Sequence, residues 1–386
     1  MPLLNRAMEM QPEIAEWRRR LHQMPELQYD VVETAAFVAE KLREFGCDDV
    51  VTGIGRTGIV GVIRGAKGDG ATIGLRADMD ALPITEATGL AYASKMPGKM
   101  HACGHDGHTS MLLGAARHLA ETRNFKGAVA VIFQPAEEGG AGGRAMVRDG
   151  MMERFSISKV FGMHNMPGLD VGKFAIRPGA LMAATDEFTL SVQGKGGHAA
   201  MPHKTIDPVF IGAQLVSALQ GIVSRNADPL EALVISVTKF NAGSAQNVIP
   251  QNAELAGTAR TLSAAMRDFA EMRMKETCAG IAAAFGAEIS LSYRRNYPVT
   301  FNHANETEFA VGIASDIAGA GNVDANTPPV MGGEDFSYML EARPGAFIFI
   351  GNGATAYLHH PEYDFNDDVI PHGVSYWVKL AETALA

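Results

Sequence analysis

Cysteine is scarce: Cys47, Cys103 and Cys278 are few, odd in number and far apart, which argues against a disulfide framework. Also lacking is any run of roughly eighteen apolar residues, so no membrane span is expected. Positive charge is in deficit, with 33 Lys and Arg against 43 Asp and Glu and a formal net charge of −10. That balance leaves no general footprint for nucleic acid or an anionic membrane. An anionic substrate would have to be met by local positive charge, from metal ions or a few Arg, His and Lys side chains. The opening stretch MPLLNRAMEMQPEIAEW places Glu9 and Glu13 early and has no long apolar segment, so it does not read as a signal peptide. A cytoplasmic location is the expectation. What is present is an ordinary globular profile, 47% hydrophobic and 20% charged, in 386 residues. Such a chain can bury a large core and divide into two domains or three.

Hydrophobic periodicity predicts helices over 12–23, with Pro12 near the first turn, and over 31–45, closed by Gly46. Strand-like runs follow at 58–63, 72–78, 128–134 and 159–164, alternating with helical stretches such as 108–122 and 141–149. This alternation predicts an α/β sheet with parallel members, whose ligands gather beyond the strands' carboxyl ends. From 188 the order becomes strand, helix, strand, strand, helix, strand, ending at 294. That is the order of a ferredoxin-like sandwich. The expected organisation is therefore a discontinuous α/β domain, 1–183 and 299–386, with a ferredoxin-like α+β domain inserted at 184–298.

Gly53, Gly55 and Gly58 spell the dinucleotide pattern G-x-G-x-x-G, with Asp78 twenty residues on. The fingerprint requires a helix after the glycines, to seat a pyrophosphate. Here IVGVIRG follows, which is strand-like, so the glycines read as a turn. Gly194, Gly196 and Ala199 make a second partial match that Pro202 interrupts.

The chemistry-bearing residues cluster after strands. MHACGHDGHT (100–109) packs Cys103, His105, His101, Asp106 and His108 into one short stretch, a donor set suited to zinc and similar first-row ions. Asp78 and Asp80 end the strand in RADMDALP; they could bind metal or orient a ligand histidine. In QPAEEGGAGG (134–143), Glu137 and Glu138 meet a glycine-rich turn, where one carboxylate can bind metal and the other take a proton from water. His164 ends another strand, and His359 and His360 sit in a loop near the C-terminus.

WRRRLHQMPEL, LRADMDALP, MHACGHDGHT, QPAEEGGAGG, MHNMPG, GKGGHAAMPH, Asp207-Pro208, NVIP, GTAR, GGEDFSY and HHPEYDFND occur in that order along the chain. With these motifs the whole sequence resembles the two-metal amidohydrolases and exopeptidases that include aminoacylases, hippurate hydrolases and indole-acetyl-amino-acid hydrolases. The resemblance implies a metallopeptidase-type catalytic domain whose inserted domain dimerises and acts as a lid. It implies Cys103, His105, Glu138, His164 and His359 as ligands of two divalent ions (Mn, Co, Zn or Ni) and Glu137 as general base. His359 is preferred to His360 because the family histidine lies two before the Pro. Cys103, in place of a bridging carboxylate, points to the hippurate-hydrolase branch. Asp78 stands where other branches place a ligand His; it and Asp80 stay outside the ligand set, with Asp80 supporting from behind. His198 resembles a residue that reaches the partner subunit's active site. Asn247 and Arg260 match positions that bind the substrate carboxylate. The implied reaction is hydrolysis of a small-molecule N-acyl amino acid by a homodimer or a tetramer built from it. Dipeptide or N-carbamoyl substrates are the alternatives on the same site, and a non-catalytic metal-binding scaffold is a third, weakened by the presence of Glu137.

Overall fold

In the computed structural model, which describes residues 3–386, two helices open the chain, α1 (Asn5–Gln23) and α2 (Val32–Glu44). Strands β1 (Asp49–Ile54), β2 (Gly58–Arg64) and β3 (Thr72–Asp78) precede α3 (His105–Thr122). Next come β4 (Ala128–Gln134), α4 (Gly142–Arg148), α5 (Met151–Arg154), β5 (Ile157–Pro167), β6 (Phe174–Ala175) and β7 (Gly179–Met182). The middle holds β8 (Ala184–Gln193), β9 (Gly197–His198), α6 (Pro208–Gly221), β10 (Leu233–Ala242), β11 (Val248–Ile249), β12 (Asn252–Thr261), α7 (Ala264–Phe285) and β13 (Glu288–Arg295). The chain closes with β14 (Thr300–Asn302), α8 (Ala304–Ala318), β15 (Val323–Asp324), α9 (Ser337–Ala342), β16 (Gly345–Gly353) and α10 (Ile370–Ala384).

Two compact units result, one of Met1–Leu181, Phe301–Pro328 and Asp335–Ala386, the other of Met182–Thr300 and Pro329–Glu334. The sequence pattern leaves all of 299–386 in the first. Pro329–Glu334 groups with the second instead, because the Ala183 N–H donates to the carbonyls of Val330 (3.1 Å) and Gly332 (2.9 Å).

The first unit is built on an eight-stranded sheet of order β1-β2-β4-β3-β5-β16-β6-β15. Its centre, β4-β3-β5-β16, is parallel throughout. β4 is buried from Val129 to Gln134 without alternation, the pattern of a strand covered on both faces. Helix α3 packs between α1 and α10 over β3, so it is buried almost all round from His105 to Ala116. The glycines at 53, 55 and 58 form the turn of the antiparallel β1–β2 pair, with Ile54 opposite Gly58, and no helix follows them.

Two helix starts differ from expectation. α1 begins at Asn5, so Pro12 lies inside it. Proline removes one backbone hydrogen bond there, but burial of Ala7 and Met10 against the core keeps the earlier turns helical. α3 begins at His105 rather than at 108, which puts His105 and His108 one turn apart on the same helix.

The second unit carries an antiparallel sheet of order β10-β12-β8-β13, with α6 and α7 packed on one face. Taken in chain order, its four strands lie 4-1-3-2 across the sheet, the ferredoxin-like arrangement. Alternation along β8 turns Phe188, Leu190 and Val192 towards the helices. Asp207 caps α6 by accepting from the Val209 and Phe210 N–H groups, with Pro208 at the first helical position. Buried Asp186 accepts from the Arg267 guanidinium and the Tyr293 hydroxyl, tying α7 to the sheet.

Candidate metal centre

Four neighbouring parallel strands deliver the site of the first unit. Asp78 ends β3 and Asp80 follows it; Glu137 and Glu138 follow β4; His164 lies near the end of β5; His359 follows β16. Cys103 and His105 come from the start of α3, which faces the same carboxyl edge of the sheet.

The backbone turns that hold these side chains are tight. The turn after β4 has Ala136 at φ +55°, Gly139 at +85° and Ala141 at +57°. Any Cβ at Gly142 would lie 1.7 Å from the Pro135 carbonyl oxygen, so glycine is required there. The Asp80 carboxylate accepts from the Glu137 N–H (2.8 Å) and the Glu138 N–H (3.1 Å), which anchors both glutamates. His359 itself sits at φ +65°, a strained conformation for a non-glycine residue and one found preferentially at functional sites.

Donor atoms of Cys103, His105 and His164 lie within 4.8 Å of one another, as do those of Cys103, Glu138 and His359, and those of His105, Glu137 and Glu138. Cys103 is thus common to two groups. Its Sγ is 3.3 Å from His164 Nε2, and His359 Nε2 is 3.2 Å from Glu138 Oε1. His360 turns away, its Nδ1 accepting from the Glu362 N–H at 3.1 Å. Asp78 also lies within 4.8 Å of His105 and His108. Its carboxylate is engaged, however, with Arg76 Nη1 at 2.8 Å and His108 Nδ1 at 2.6 Å. Asp106 is turned to His22 Nδ1 at 2.8 Å, and His101 is fully buried away from the groups above. Of the five candidates in MHACGHDGHT, Cys103 and His105 meet His164 and the glutamates.

The residues present fit a metal. His105 donates from Nδ1 to the Asp80 carbonyl at 2.8 Å, which leaves Nε2 as the ligand atom, and that Nε2 is buried with no hydrogen-bond partner. Glu138 Oε1 is likewise buried and faces His359 Nε2 at 3.2 Å, two donors of one group turned towards each other. Charge argues the same way. Burial, reinforced by Glu138, Glu137 and Asp78, pushes the Cys103 thiol well above its usual range. Burial works against the His105 cation, but Asp78 and then Asp80 overcome it and hold its pKa up at about 10. Burial, with His108 beside it, keeps His164 well below its ordinary value and therefore neutral. Such a surplus of buried carboxylate calls for cationic compensation, which divalent ions provide.

In the second unit, His198 and Asn247 come together: β9 pairs with β11, Val248 opposite His198, and the Ala199 N–H donates to the Asn247 carbonyl at 3.0 Å. Arg260 does not join them. It sits near the far end of β12, eight residues beyond Asn252, roughly 25 Å at a strand's rise. Its guanidinium donates to Thr258 Oγ1 and to the Ala259 carbonyl.

A sheet whose parallel strands converge buried Cys, His and Glu donors at one edge defines an α/β protein with a candidate metal centre. The chain belongs to Peptidase family M20/M25/M40, whose sequence profile matches residues 74–383. It is 44% identical over 381 residues, 99% of each chain, to the hippurate hydrolase of Campylobacter jejuni. It is 42% identical over 355 residues to the N-acetyl-L-cysteine deacetylase of Bacillus subtilis, covering 92% of this chain and 83% of that one. Among solved structures, a dinuclear metal-binding peptidase of the M20 family from Bacillus subtilis superposes with a TM-score of 0.86 at 34% identity, covering 98% of this chain and 99% of the other.

Proposed function

We propose that this chain hydrolyses the amide bond of N-acyl amino acids at a centre of two divalent ions held by Cys103, His105, Glu138, His164 and His359. The observation that carries the reading is the sharing of Cys103 between two donor groups, with Glu137 in a third beside them. The ions, Mn, Co, Zn or Ni, would polarise the scissile carbonyl and lower the pKa of a water from about 15.7 to about 7. Glu137 is 7% exposed, and Asp80 fixes its backbone, so its carboxylate can take the water's proton and hand it to the leaving amine. Glu138 faces His359 and Asp80 holds the turn, so neither of these two competes with Glu137 for that proton.

The functional unit we propose is a homodimer formed through the ferredoxin-like unit. Its edge strand β10 exposes Val234 and Phe240, and an apolar edge of that kind favours pairing. His198 is exposed, and its Nδ1 accepts from the Ala200 N–H at 3.1 Å. The proton therefore rests on Nε2, which makes the partner subunit's His198 a donor for the developing oxyanion. Asn247 travels with His198, whereas Arg260 lies far along β12. Arg260 and Asn247 are the residues proposed to grip the substrate carboxylate. A cytoplasmic location is part of the same proposal.

A hydrolysis screen of N-acetyl, N-benzoyl, N-carbamoyl and dipeptide substrates tests the reading. N-benzoylglycine should be cleaved with a kcat/KM at least about tenfold above that of its amide, the loss of one charge-assisted hydrogen bond. Equal cleavage of the two would remove carboxylate recognition and leave a general amidase.

A further inference from the structure

We propose that Asn165 and Tyr363 are positioning residues, a buried hub that sets the spacing of Cys103, His164 and His359 and so the affinity of the centre for metal. The inference rests on reading those three as ligands. Asn165 follows His164 in β5 and is anchored in the sheet opposite Ile350. It is fully buried, as is Tyr363. Every polar group of Asn165 is spent on a segment that carries a ligand. Its carbonyl oxygen accepts from His164 Nδ1 at 2.7 Å, which leaves Nε2 of that ring with its lone pair free, 3.3 Å from Cys103 Sγ. Its Nδ2 donates to the Cys103 carbonyl at 2.7 Å. Its Oδ1 accepts from the Tyr363 hydroxyl at 2.8 Å, and Tyr363 lies four residues beyond His359.

His108 fixes which way the amide points. Asp78 accepts from His108 Nδ1 at 2.6 Å, so Nε2 carries no proton and accepts from the Asn165 N–H (3.0 Å) and from Asn165 Nδ2 (3.1 Å). Rotating the amide would set Oδ1 against two acceptors, the Cys103 carbonyl and His108 Nε2, and leave the Tyr363 hydroxyl without its acceptor. One orientation survives. The loop that bears His359 is thereby docked twice on the Cys103 turn, through Tyr363 and through the His359 N–H, which donates to the Ala102 carbonyl at 2.7 Å. Gly104 shows how closely the parts fit. It stands at φ +89°, and a Cβ there would lie 2.3 Å from Asn165 Nδ2 and 2.5 Å from Tyr363 Oη.

A hub that only filled the core would affect folding and leave metal affinity alone, so affinity is the deciding readout. Zinc-loaded protein is titrated with a chelating dye for the wild type, Tyr363→Phe, Asn165→Asp, Cys103→Ala and, as a control, Tyr357→Phe. Tyr357 is 61% exposed, and its hydroxyl approaches Met166 Sδ at 3.8 Å. Tyr363→Phe removes one hydroxyl; Asn165→Asp replaces the amide donor with an acceptor. Both should keep the wild-type far-ultraviolet circular dichroism, lose zinc about 10–100-fold more readily, and regain most of kcat at saturating zinc. Tyr357→Phe should match the wild type. If Cys103→Ala loses zinc while Tyr363→Phe and Asn165→Asp hold it as tightly as the wild type, the hub is overturned. If Cys103→Ala itself holds zinc as the wild type does, the ligand reading fails first and the hub with it. Failure of both hub variants to fold would also overturn the proposal, since the pair would then be a determinant of the fold.

Discussion

Replacing His22 by Gln should remove a stability contribution that the wild type has in full at pH 6 and loses as pH rises through about 9. His22 lies at the end of α1, fully buried, with Nδ1 2.8 Å from Asp106 Oδ2 and Nε2 3.4 Å from Glu86 Oε2. Burial pushes its pKa down, but Asp106 and then Glu86 outweigh burial and raise it from 6.5 to about 9. A raised pKa means that the folded chain holds this proton more tightly than the unfolded chain does. The stabilisation is complete below about pH 6.5 and is lost as pH climbs through about 9. The difference corresponds to ~3 kcal/mol. Both tryptophans, Trp17 in α1 and Trp377 in α10, are buried in the unit that holds His22, so urea unfolding followed by their fluorescence reports on that unit. The wild-type advantage over His22→Gln should shrink by ~3 kcal/mol between about pH 6 and 9.5. A gap that stays constant over that range, or widens, would refute the reasoning.

Glu137→Gln should retain metal and lose about 10²–10⁴-fold in rate, whereas Glu138→Gln should weaken metal binding; dialysis with elemental analysis, set beside kcat, separates the two, and a reversed pattern would exchange their roles. Metal uptake should release about two protons per chain near pH 7, one from Cys103 and one from His105, because both are held protonated and both must ionise to coordinate. Affinity should accordingly rise with pH from 7 to 9, and calorimetry in buffers of different ionisation enthalpy counts the protons. Alkylation of metal-free Cys103 should stay slow at pH 7, since burial keeps it a thiol, and quicken at alkaline pH.

Much of the fold is legible in local pattern. The runs at 72–78 and 128–134 coincide with β3 and β4, because each begins and ends on its own side-chain chemistry. Helix starts are less legible. Pro12 resembles a first-turn residue, and only the long-range packing of Ala7 and Met10 shows that α1 begins earlier. The donor residues are visible because thiolate, imidazole and carboxylate side chains are rare in such density after strands. Their supports are not. Asn165 and Tyr363 sit inside the motifs MHNMPG and HHPEYDFND, yet an asparagine and a tyrosine 198 residues apart carry no spacing signal. His22, Arg76 and His108 are of the same kind: their partners are fixed by strand order and helix packing, which local periodicity does not encode.

The most direct test is to strip the protein with chelator, return one divalent ion in steps, and follow N-acyl amino acid hydrolysis against ions bound per chain. A two-ion centre predicts no turnover in the stripped protein and a maximum once two ions are bound. Full turnover in protein shown by elemental analysis to be metal-free would contradict it.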